Sequence, residues 1–193
     1  MAASLLARLF FWLWFGSALA AGYLGWLQRL PPLAVPALVL GLSGLLISAY
    51  LRVGAVRTWV DAIDLRALVL LHLTRFVGIY FLVLHQRGEL PYAFAVPGGI
   101  GDIVVAAMAL PVAFAPLEPA ARRRVIRIWN VVGLVDILLV VATAVRLNLA
   151  DPGQLGALLR LPLSLLPTFL VPLIIASHII IFARLARTER GGD

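Results

Sequence analysis

His72 and Arg75 stand three residues apart inside a stretch from Leu65 to Leu84 that is otherwise long and apolar enough to cross a bilayer. A neutral imidazole can ligate iron, and a guanidinium grips carboxylates through its planar fork. In hydrocarbon an unpaired ionised side chain costs at least about 2.5–3.5 kcal/mol, so Arg75 requires counter-ions from other helices. Asp102 and Asp136 are the candidates, each near the middle of another apolar run. Asn130 and His178 are the further polar groups placed at membrane depth.

The elements that must position these residues follow from composition. Of 193 residues, 63% are hydrophobic, and the mean hydropathy is +1.03. A soluble domain is about 45–50% apolar, so the surplus has to be solvated by lipid. Six stretches reach the roughly 20 apolar residues that a span needs. They cover about 8–27, 33–53, 65–84, 93–115, 126–146 and 162–184. The expected fold is all-α, a polytopic bundle of six transmembrane helices forming a single domain over residues 1–193. Its polar centre is expected on helices three to six, with the first two packed outside. Arg8, the apolar run after it and Ala18-Leu19-Ala20 imitate a signal peptide, but apolar sequence continues through Leu27, so an uncleaved first span is expected.

Arginine placement orients the bundle. Eleven arginines flank spans on the side shared by both termini and four on the other, which places both termini in the cytoplasm of an inner membrane. The net charge of +7 therefore marks membrane flanks, and no basic patch with interleaved aromatics points to nucleic acid. Cysteine is absent, which removes thiolate catalysis, Cys-ligated zinc and iron–sulfur clusters. No Gly-x-Ser-x-Gly and no His-Glu-x-x-His occurs, so no catalytic residue and no metal site is assigned. Trp12, Trp14, Trp26, Trp59 and Trp129 lie near span ends and are read as interfacial anchors.

Depth follows from a rise of about 1.5 Å per helical residue. His72 and His178 fall at one level, with Asn130 near it. Arg75, Asp102 and Asp136 converge deeper. With both aspartates ionised this second group is net negative, which a proton or a cation would complete. Pro97, Gly98, Gly99 and Gly101 weaken the fourth helix, so a break is expected there, restarting near Gly99. Pro162, Pro167 and Pro172 predict kinks in the sixth helix, with the Ser164 and Thr168 hydroxyls answering freed carbonyls.

Three functional readings follow, behind which an intramembrane hydrolase using Asp102 and Asp136 is a fourth that no motif supports. The first is a structural or assembly subunit, or a small-ligand-binding protein, using Arg75, Asp102, Asn130 and Asp136. The second is a small proton- or ion-coupled transporter built on the same residues. The third is a haem b electron-transfer protein with His72 and His178 as axial ligands. Partners beyond the lipid bilayer would be a second copy of the chain or another membrane subunit. Leu90-Pro91, Phe94-Ala95, Pro97-Gly98-Gly99 and Gly101-Asp102, followed by Trp129-Asn130 and Asp136, resemble a pattern in bacterial multi-pass proteins of unassigned function. The resemblance covers the chain from the third helix onward and implies a bacterial inner-membrane protein without implying an activity.

Overall fold

The computed structural model describes residues 2–190, with side chains described for residues 5–187. All regular structure among them is helical. Six segments are long and apolar enough to cross a membrane: Leu5–Tyr23, Ala34–Arg52, Leu65–Gln86, Tyr92–Phe114, Pro119–Ala150 and Leu166–Arg187. Arg190, one of the arginines behind the expected orientation, has its side chain outside the described residues.

Helix α1 (Ala2–Tyr23) ends four residues before the expected 27. Gly25 takes a left-handed φ of 66°, and Trp26 N–H turns back to Ala21 O at 3.0 Å, which closes the helix. Helix α2 (Ala34–Arg52) is followed by a short helix, α3 (Gly54–Asp61), where only a break is expected from sequence. The Tyr50 hydroxyl donates to Asp61 Oδ1 at 2.9 Å across that corner.

The third span is composite. Helix α4 (Leu65–Leu70) starts at an Asp64 cap whose side chain accepts from the Arg66 amide. It tightens into a 3₁₀ helix over Leu71–Val77 and returns to α geometry in α5 (Gly78–Gln86). A 3₁₀ run of seven residues is long for its kind. Gly88, at φ 74°, ends α5 with Glu89 N–H bonded to Leu84 O and Gly88 N–H to His85 O. The chain then reverses into α6 (Tyr92–Phe114).

Helix α7 (Pro119–Ala150) is longer at both ends than the expected 126–146. Its first turns take in Arg122, Arg123 and Arg124, which are good helix formers behind a proline suited to a helix start. The sixth span begins later than the expected 162, as a π-helical turn over Leu166–Leu170 that leads into α8 (Val171–Arg190). Pro162 lies before it and Pro167 within the π turn. The Thr168 hydroxyl donates to Ser164 O at 2.7 Å, the ordinary bond back one turn, and the Ser164 hydroxyl, expected to answer a freed carbonyl, is buried without a hydrogen bond.

The chain divides into two compact units. The first comprises Met1–Ala62 and Thr143–Ala176. Its centre is Phe169, ringed by Phe11, Trp14 and Phe15 at centroid distances of 5.2, 4.5 and 5.2 Å. The Trp14 indole donates to Thr168 O at 2.9 Å, so Trp14 is a packing residue. Trp12 and Trp26 are exposed, consistent with lipid or interface contact.

The second unit comprises Ile63–Ala142 and Ser177–Asp193. Along α6, Ala95, Asp102, Ala106, Ala109 and Ala113 are all buried, a stripe of small residues that lets neighbouring helices approach closely. Along α7 the buried positions are Ile126, Trp129, Asn130, Gly133 and Ile137, the spacing of one helical face. Trp129 is therefore not an interfacial anchor. Its indole donates to Val105 O at 3.1 Å inside the unit.

Candidate functional site

All six polar residues singled out from sequence fall in the second unit. In a 3₁₀ helix residues three apart eclipse, so His72 and Arg75 project in line, about 6 Å apart along the axis. They have different partners. The Arg75 guanidinium uses all three nitrogens. Nε donates to Asp102 Oδ1 at 2.6 Å, Nη1 to Gly133 O at 2.9 Å, and Nη2 to Asp136 Oδ2. Arg75 is 1% exposed and the Asp102 side chain 5%, whereas the Asp136 carboxylate keeps 20%. The asymmetry has a simple origin. Asp102 sits on the buried stripe of α6, while Asp136 flanks the buried face of α7, beside Ile137.

Four glycines make this approach possible. A Cβ on Gly78 would meet Gly99 O and, at 2.9 Å, the Asp102 Cβ, so α5 and α6 cross backbone to backbone. Arg75 lies three residues before that crossing and Asp102 three residues after Gly99, which brings their side chains together. A Cβ on Gly101 would fall on the Asp136 carboxylate, and one on Gly98 would meet Val140 at 3.3 Å. The break expected at Pro97 is accordingly absent, and α6 runs unbroken from Tyr92 to Phe114. Pro97 removes one ladder donor, and the glycines after it serve tertiary contacts that need a bare Cα. The irregular backbone at the site belongs instead to the third span.

The histidines form a second group. The His72 and His178 ring centroids are 4.3 Å apart with planes tilted by 47°, and both residues are 0% exposed. Trp129 stands edge-on to His72 at 4.9 Å. Ser177 Oγ lies 3.0 Å from His72 Nε2. Asn130 binds His178 twice, its Nδ2 donating to the backbone O at 2.9 Å and its Oδ1 lying 2.7 Å from Nδ1. Gly133 joins the two groups. Its carbonyl takes Arg75, and a Cβ there would meet His178 Cε1 at 2.6 Å.

This arrangement does not suit the haem reading. Axial imidazoles face each other across a porphyrin plane, and two rings in direct contact leave no layer for one. Nor do the described residues hold a group of three or more His, Cys, Asp or Glu side chains placed to bind a metal ion. His85, outside the site, closes the turn after α5 through Nδ1 and Leu90 O at 3.1 Å.

Residues 31–186 match the model of a domain of unknown function, DUF8737. The chain belongs to that family. The matched stretch of DUF8737 contains every residue of the Arg75 centre and of the histidine pair, and begins after α1. No curated protein and no solved structure matched the chain.

Sequence reasoning missed Gly78, Gly133 and Ser177, read Gly101 as a helix breaker, and misplaced Trp129. Gly133 was discoverable, since it lies midway between Asn130 and Asp136 in two steps of three. Ser177 carried no signal beyond its place next to His178.

Proposed function

We propose that this DUF8737 member is a multi-pass protein of a bacterial inner membrane, a single six-span transmembrane domain with both termini in the cytoplasm. In this reading it binds and moves protons through the Arg75–Asp102–Asp136 centre, alone or coupled to a small solute. The six apolar segments support the membrane placement, and the eleven-to-four arginine bias supports the orientation.

The second carboxylate carries the functional reading. A clamp that only sets helix register needs one arginine and one aspartate, and is then neutral. Here a second aspartate leaves the buried centre one negative charge in excess when both are ionised. A proton completes it, and ionisable groups of this kind at membrane depth mark proton paths. The partial exposure of Asp136, against the near-complete burial of Asp102, favours Asp136 as the group that exchanges.

Purified protein in liposomes with an entrapped pH dye tests this. A pH gradient should drive proton entry in the wild type. Asp136→Asn keeps a hydrogen-bonding group for Arg75 and should reduce entry to the level of empty liposomes. Equal entry in the wild type and D136N would overturn the reading and leave the register clamp.

A further inference from the structure

We propose that His178 Nε2, stacked against His72, is a second proton-binding station, and that the histidine pair takes up one proton and not two. The inference rests on the proton-moving reading above and adds a site to it.

The tautomer of His178 is set by Asn130. The amide nitrogen of Asn130 donates to the His178 carbonyl, which forces its oxygen towards the ring. An amide oxygen only accepts, so Nδ1 must carry the hydrogen. In the neutral ring Nε2 is then a bare lone pair. It is buried without a hydrogen bond of good geometry, and the Gly133 carbonyl is the backbone group placed to accept from the ring once it is protonated. His72 Nδ1 is likewise without one.

The charges around the pair limit it to one added proton: burial and the Arg75 guanidinium oppose it, and only the two aspartates behind that guanidinium offset its charge. From the third span comes Arg75, from α6 Asp102, and from α7 Asp136, a set that sums to one negative charge. Asn130 and Ser177 contribute neutral dipoles. Gly133 carries the contact between the two groups: its carbonyl accepts from Arg75, and its bare Cα lies against the Cε1–Nε2 edge of His178. With Asp136 ionised, uptake forms one N–H bond at Nε2, converts the ring to imidazolium and leaves the whole assembly neutral, so the two stations hold one proton in turn. A second imidazolium 4.3 Å from the first would face its like charge without a further counter-ion.

Ring-nitrogen NMR of the full-length, histidine-labelled protein in liposomes, recorded across pH, tests the idea, with His85→Gln removing the remaining histidine. Above the transition His178 should show a protonated Nδ1 and a bare Nε2. On acidification one ring of the pair should become imidazolium, and D136N should lower that fraction at a given pH. A protonated Nε2 in the neutral form, rings that stay uncharged wherever the protein is folded, or two rings charging together would each overturn the inference. Ring protonation without proton entry would sink the proposed function and spare this site. Proton entry with silent rings would do the reverse.

Discussion

Arg75→Leu should destabilise the protein by about 3–5 kcal/mol, the usual consequence of removing one partner from a buried ion pair. The loss arises because Asp102, with 5% side-chain exposure, is left without its counter-ion. The Gly133 carbonyl also loses its donor. Asp136 suffers less, since its carboxylate already reaches the edge of the unit. Arg75→Lys should fall between, because an ammonium keeps the charge and loses the three-way fork. Replacing all three charges together, as R75L/D102L/D136L, should recover much of the loss, because well-packed apolar residues often substitute for a buried triad at little cost. Unfolding in detergent followed by circular dichroism measures the series. An R75L protein that melts like the wild type would mean that the guanidinium is solvated some other way.

Gly78→Ala should destabilise the protein by about 1–3 kcal/mol for a single added methyl. The added Cβ meets the Gly99 carbonyl, a backbone atom that can move only if α6 moves with it. Displacing α6 carries Asp102 away from Arg75, so the change should lower the pH-driven proton entry as well as the stability. Gly44→Ala is the matching control. It lies in α2 with open space around its Cα, and alanine there should stabilise by about 0.5–1 kcal/mol through helix propensity alone. If the two substitutions shift the melting transition in the same direction, the backbone crossing is not where the structure puts it.

Much of the architecture was readable before any coordinates, because a span is a property of one segment and its lipid-facing side. The six apolar runs needed only length and hydropathy. The counter-ions of Arg75 were also readable, since few groups at that depth can answer a charge. What escaped were the features that exist only between helices. Gly98, Gly99 and Gly101 weaken an isolated helix, and that intrinsic preference suggested a break. In the folded chain tertiary contact overrides it. The 3₁₀ stretch from Leu71 to Val77 has no proline or glycine to announce it. The matched depth of His72 and His178 was visible by counting residues. Their direct contact, which removes the haem reading, depends on helix rotation that counting does not supply. Trp129 was misread because its position near a span end suits an anchor, while its rotation on α7 turns it inward.

The pairing of Arg75 with both aspartates inside the protein is most directly tested by solid-state NMR of the chain in lipid bilayers. Arginine side-chain nitrogens and aspartate carboxyl carbons would be isotope-labelled, with the Arg75 signal assigned through R75K. The account predicts strong through-space coupling of the Arg75 guanidinium to the carboxyl carbons of Asp102 and Asp136, and none to lipid phosphorus. A guanidinium coupled to headgroup phosphorus, with both carboxyl signals unaffected by it, would contradict the account.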